Sequence, residues 1–190
     1  MIVMKPAILK AVILAVSATF GGYSNADQTA PELPSLFAEL THSADPELAH
    51  LAEQKIWARW LDGPTKQIAR QLEQARDDMS RGDLDAAQKL LDQLVVTAPK
   101  YAEAWNQRAL LNFLKQDYAH ALDDIVHTLK LEPRHFGALS GRGQCYLQLN
   151  KPELALAAFE QALAIHPWLA DVPRYIETLR TYLNGSGRAI

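Results

Sequence analysis

The residues of this 190-residue chain that could do chemistry are six histidines, a single cysteine and a few adjacent pairs of acids, and metal binding is the first chemistry to weigh. His120 and His127 stand seven apart, which on a helix rising 1.5 Å per residue is about 10 Å, so one ion cannot take both. Asp123 and His127 lie at i and i+4 and could share an ion, but two ligands on a solvated helix face make a weak site. His42, His50, His135 and His166 have no evident partners. Cys145 with His135 or His166 could be drawn as a thiol and its base, yet free cysteine is among the most buried residue types. The acid pairs Asp77-Asp78 and Asp123-Asp124 are adjacent and diverge around a helix by about 100°, so they do not converge on a substrate. No glycine-rich phosphate loop, nucleophile elbow or HExxH pair occurs. The chain is therefore expected to be no enzyme and to carry no cofactor and no bound metal, with a metal carrier or small enzyme as the rival class.

Composition narrows the partners. With 48% hydrophobic and 22% charged residues the chain reads as an ordinary compact domain, and its formal charge of −3 is spread without blocks of either sign. Nucleic acid is excluded as a partner, because phosphate binding leaves a clustered basic footprint. Residues 1–26 have the layout of a secretory signal: Lys5 and Lys10 as the only charges, an apolar run AVILAVSATF too short to span a bilayer, then small residues before Asp27. Cleavage near Ala26 predicts a periplasmic or secreted chain with no membrane attachment, and an uncleaved anchor is the alternative. With one cysteine there is no internal disulfide, so packing alone must hold the fold.

That packing is written as a period. Pro99, Pro133 and Pro167 are spaced by 34, and the segments 68–101, 102–135 and 136–169 align beneath them. Ala75, Ala109 and Gly143 fall eighth in their units, where two helices must cross closely. Ala87, Ala121 and Ala155 follow twelve places on, with Leu91, Ile125 and Phe159 one helical turn beyond. Arg81-Gly82-Asp83, Lys115-Gln116-Asp117 and Leu149-Asn150-Lys151 fit turns between antiparallel helices. Each closing proline removes an amide donor and stops the second helix.

These residues resemble the tetratricopeptide repeat (TPR), with a large residue fourth, small eighth, small twentieth, large twenty-fourth and proline thirty-second. Trp105, Ala109, Ala121, Ile125 and Pro133 supply the series in the middle unit, and Leu139, Gly143, Tyr146, Ala155, Phe159, Ala162 and Pro167 in the third. The first unit departs from it at Gln71 and Asp78. The resemblance implies an all-α fold, a right-handed superhelical stack of antiparallel hairpins, with about three repeats and flanking helices. Residues 170–183 are expected to be a C-terminal capping helix, and 27–34 and 184–190 flexible ends. Within 35–67, Asp45 as cap and Pro46 at the first turn start a helix to Leu61. Trp57 lies 34 before Leu91, so this region could be a worn fourth repeat with Phe37 in its first helix.

In this family the first helix of each unit lines a concave groove that receives a peptide. The resemblance assigns that face to Leu72, Arg76 and Met79, to Asn106, Leu110 and Phe113, and to Ser140, Gln144 and Leu147. Phe113 and Leu147 could instead simply pack against neighbouring helices. Gly137 and Gly141 stand where one subgroup places the basic residues of a carboxylate clamp, which leaves Arg76 as a single anchor. Arg108 and Arg142 share the seventh place: a structural pair of Arg108 with Asp124 is expected, and Arg142 either shares that acid or is free to bind. The expected function is an exported interaction module holding a protein or peptide, an adaptor or scaffold in the cell envelope. The alternative is a self-associating subunit, a homodimer, anchored by Trp57, Trp60 and Trp168.

Overall fold

The structure, a computed structural model, describes residues 28–186, so the proposed signal at 1–26 lies outside the described residues. Within them every regular element is a helix: α1 (Leu33–His42), α2 (Pro46–Asp62), α3 (Lys66–Arg81), α4 (Leu84–Thr97), α5 (Ala102–Leu114), α6 (Tyr118–Leu131), α7 (Phe136–Gln148), α8 (Pro152–Ile165) and α9 (Val172–Ser186). The pairs α3/α4, α5/α6 and α7/α8 are antiparallel hairpins stacked in order, and α9 closes the stack on α8.

Local chemistry explains each boundary. The middle residue of every intra-hairpin turn is left-handed: Gly82 (φ 80°), Gln116 (φ 63°) and Asn150 (φ 55°). Asp83 and Asp117 then accept from the amides of Ala86 and His120 and cap the next helix. Helices α4, α6 and α8 end two residues before Pro99, Pro133 and Pro167, where the missing donor leaves the helix nothing to continue with. The small residues at the eighth and twentieth places are buried, as are Leu91, Ile125 and Phe159. Gly143 is glycine because Phe159 is the largest of that series: a Cβ there would come within 2.6 Å of its ring.

The N-terminal region differs from a worn fourth repeat. Helix α2 packs on α1 and barely touches α3, far less than α4 touches α5. The α1/α2 hairpin instead folds back along the row of turns between units, with α1 reaching α8 and α2 reaching α5. Among the described residues no helical hairpin therefore stacks on the outer face of α3, which is why Gln71 occupies the fourth place. There Trp105 packs against the preceding unit's core, and Gln71 has no preceding unit. Residues 28–34 are not a loose end either. Ala30 and Leu33 are buried, and the Gln28 side chain both donates to the Lys100 carbonyl and accepts from the Ala102 amide. At the other end, α9 continues to Ser186, three residues past the expected 183.

Candidate functional site

The site is built from two surfaces, the row where the N-terminal hairpin docks and the face of α3, α5 and α7 that docking leaves open. Tyr101, His135 and Leu169 share the thirty-fourth place of their units and form the row. The Tyr101 hydroxyl donates to the Trp60 carbonyl at 2.6 Å. Trp60 is 1% exposed and stacks on the His135 ring at 4.0 Å, with Phe37, Trp57 and Phe136 around it. Leu169 packs into the same apolar cluster as Leu33, Leu40 and Ile56. The guanidinium of Arg134, held by Glu132 at 3.0 Å, lies 4.1 Å from the Phe37 ring centre. The Thr41 hydroxyl donates to the Ile165 carbonyl.

Beneath this row lies a buried polar network. His135 caps α7: its Nδ1 accepts from the Ala138 amide, which places the ring proton on Nε2, and Nε2 donates to Glu103 Oε2 at 2.8 Å. Glu103, 1% exposed, also accepts from Asn106 and Gln107, so four oxygen–donor contacts surround one buried carboxylate. His166 is placed differently, its Nδ1 accepting from the Trp168 amide and its buried Nε2 lying 3.4 Å from Glu53 without a hydrogen bond among the described residues. Burial pushes the Glu53 carboxyl up, and the pull of His166 and then His50 outweighs it, leaving Glu53 below the ordinary carboxylate value. His135 and His166, which have no evident partner in the sequence, are thus architecture. The signal for His135 was the place it shares with Tyr101 beside a Trp-rich helix, a place His166 does not occupy.

The nine groove candidates separate into classes. Leu72 and Met79 are buried in the core shared by α3, α4 and α5 and offer no binding surface, a correction that follows from α3 tucking its apolar stripe under α4. Leu110, Phe113 and Leu147 are half-buried: each leans on an adjoining core yet keeps exposed surface. Phe113 meets Tyr118 edge-on at 5.4 Å. Ser140 and Gln144 are half-buried on α7. Asn106 is half-buried, with its amide engaged by Glu103. Arg76 is half-buried and forms no hydrogen bond or ion pair among the described residues. At the second place the face is closed, since Glu103 is buried and Trp57 lies over Gly137.

The other residues with chemical potential resolve as follows. Arg108 bonds both oxygens of buried Asp124, at 2.7 and 3.0 Å, and reaches Asp92 at 3.1 Å, while Asn112 adds a third donor to Asp124. Arg142 bonds Gln161 and does not share Asp124. An open cleft of about 420 Å³ on that side is lined by Trp105, Arg108, Lys115, Asp123 and His127, with Trp105 and His127 stacked at 4.2 Å. Cys145 is 1% exposed, and burial pushes its thiol up to about 12. Among the described residues no three of His, Cys, Asp and Glu are placed to hold a metal, and no helix is long and apolar enough to cross a membrane. Trp57 and Trp60, the suggested dimer anchors, are used within the chain, and only Trp168 stays exposed, at 43%.

Comparison with known proteins agrees with this geometry. Two family profiles, both described as tetratricopeptide repeat, match residues 72–126 and 137–168. A TPR repeat-containing protein of Rhizobium etli is 36% identical over 154 residues, which is 81% of this chain and 76% of that protein. Anaphase-promoting complex subunit 7 of Dictyostelium discoideum is 31% identical over 77 residues, 40% of this chain and 13% of that subunit. Among solved structures, the first TPR of Spaghetti (RPAP3) bound to the HSP90 peptide SRMEEVD covers 63% of this chain and 94% of its own, with a TM-score of 0.60 at 20% identity. MamA covers 76% and 86%, with a TM-score of 0.58 at 18% identity. At those identities the likeness is one of fold.

Proposed function

We infer the function from family membership: the chain belongs to the tetratricopeptide repeat family, whose fold is a protein–protein interaction module. The reading this geometry supports best is that the open face of α5 and α7 holds a segment of another protein. One observation carries it. Leu110, Phe113 and Leu147 keep apolar surface exposed on neighbouring first helices, beside the neutral polar groups of Ser140 and Gln144. Burial of the ligand's apolar side chains on the three would supply affinity, and the polar pair would orient its backbone. The docked hairpin supports the same reading, because it rigidifies the margin at Glu103 and Gly137 and so leaves a preformed face rather than a loose one.

The test is a crosslinked pull-down with the chain beginning at Asp27, compared with a variant carrying Leu110→Ser, Phe113→Ser and Leu147→Ser, helicity being followed by circular dichroism. Loss of the partner from a folded variant is expected. A partner kept equally by both would move binding off this face. The sequence of residues 1–26 further supports export, with the module acting as an adaptor in the cell envelope. Mass spectrometry of chain recovered by osmotic shock should give an N-terminus at Asp27, and a chain retaining Met1 in the membrane fraction would overturn export as a free protein.

A further inference from the structure

The open cleft of about 420 Å³ lies between α4 and α6 with α5 as its floor, and none of the groove residues lines it. Its walls are polar. Adding 34 to each lining position gives the corresponding cleft one unit on, between α6 and α8 over α7, because α5/α6 stacks on α7/α8 as α3/α4 stacks on α5/α6. There the chemistry changes. Asp92, Lys115, His120 and Asp123 give way to Val126, Leu149, Leu154 and Ala157, and the buried Asp124 to Ala158. Val126 is 61% exposed, Leu154 48% and Leu149 37%, so large aliphatic side chains stand in water where the preceding unit keeps charge. Apolar residues scattered over a surface need no explanation, but several gathered at one cleft mark a contact surface.

Lys151 adds a second, independent sign. It takes the cap place at which Asp83 and Asp117 accept from the amides of Ala86 and His120, and its own side chain makes no cap bond. A cation there also opposes the dipole of α8. The chain thus forgoes a favourable cap at the rim of this cleft, and the Lys151 ammonium bonds no described group. None of the corresponding lining places holds an acid, so the charges bordering the cleft are the cations Lys151 and Arg142, the latter bonded to Gln161.

We propose that the cleft between α6 and α8 docks one amphipathic helix of a partner protein, its aliphatic stripe on Val126, Leu149 and Leu154 and an acidic side chain beside Lys151. Aliphatic walls offer few groups to pair with a partner's backbone. A helix bonds its own backbone, whereas an extended segment would leave amides unpaired there. The length agrees, since α6 and α8 have 14 residues each, about 21 Å at 1.5 Å per residue, and a partner helix of about four turns spans that. The sign of the partner's charge follows from the unpartnered cation at the rim. This surface belongs to the second helices and does not depend on the groove of α5 and α7. With both occupied, the chain holds two proteins at once, as an adaptor must.

A displayed library of random peptides about 16 residues long, a little over four helical turns, tests this by selection on the wild-type chain. Binders are then measured on three variants checked for helicity: Val126→Asp with Leu149→Lys and Leu154→His, Lys151→Asp, and the triple serine variant of the groove. The first installs residues that the preceding unit already carries at these places, so the fold should accept them. Enriched peptides should place apolar residues at i, i+3, i+4 and i+7 with an acid on the flank, and their affinity should fall about tenfold or more on the first variant while the groove variant keeps them. Lys151→Asp should abolish the preference for the acid. No enrichment, peptides without the helical period or the acid, or an affinity unmoved by the first variant would overturn the proposal. Peptides lost by the groove variant and kept by the first variant belong to the face of α5 and α7, which supports the groove and overturns this cleft. Sedimentation closes the remaining case: a wild-type chain that self-associates while the first variant stays monomeric makes a second copy the occupant and overturns a partner helix.

Discussion

Trp60→Ala should detach the N-terminal hairpin from the stack without unravelling the repeats. Trp60 is 1% exposed, its ring lies flat on His135 at 4.0 Å, and Phe37, Trp57 and Phe136 close the remaining sides. Truncating a buried tryptophan to alanine costs about 3–5 kcal/mol, and here little can collapse into the space because the facing His135 is fixed at both ring nitrogens. The loss falls on one interface. The repeats keep their own clusters, the first built on Leu72, Leu91 and Leu94 and the last on Phe159, Tyr175 and Ile176.

Hydrogen exchange read by mass spectrometry separates local from global loss. In Trp60→Ala, the amides of α1 and α2 should lose protection together with those at the starts of α5 and α7 and around Leu169, while α4 and α6 stay protected. In a chain of this size 3–5 kcal/mol corresponds to about a 10 °C fall in the first thermal transition, with the repeat transition following separately. The reasoning is refuted if protection is lost first in α3 and α4 while the turn at His135 keeps it. That pattern would mean the hairpin acts as a stacked unit covering α3.

Three further outcomes follow from the repeat geometry. Gly143→Ala should destabilise by about 1–3 kcal/mol because its Cβ would meet Phe159 at 2.6 Å, and adding Phe159→Leu should recover part of that loss in a denaturant double-mutant cycle, so additive effects would count against the clash. At the left-handed turn position the sign should reverse with residue type: Gly82→Ala loses about 1 kcal/mol, whereas Gln116→Gly gains about 0.5 kcal/mol, both read as shifts in urea midpoint. Cys145, raised by burial from 9.0 to about 12, favours the protonated thiol in the folded state. Its contribution is whole below pH about 9 and falls as pH rises toward 12, so wild type should lose stability relative to Cys145→Ala across that window. A thiol reagent at pH 8 should label the unfolded chain and spare the native one.

What was legible in the sequence was whatever repeats. Pro99, Pro133 and Pro167, the small residues at the eighth and twentieth places and the polar turns each recur because each unit solves the same packing problem, so alignment within one chain exposed them. Arg108 with Asp124 was legible for a related reason, since a seventh-place arginine lies over its own second helix. The docking row was hidden because it uses a repeating place with non-repeating chemistry: a tyrosine hydroxyl, a histidine ring and a leucine at the same position answer three different parts of one hairpin. Leu72 and Met79 were misplaced because family register gives a side chain its direction but not its burial, which depends on how far the neighbouring helix leans over it.

Gln71 was the overlooked sign. A fourth-place residue needs a preceding unit to pack against, so a polar one there implies that none is stacked before α3. The apolar residues of α1 and α2 must then find cover elsewhere, and the aromatic and histidine residues gathered at the inter-unit turns are the cover the chain provides. With no further unit stacked before α3 among the described residues, the open face ends there, at a half-buried Arg76 that forms no hydrogen bond or ion pair with any described group.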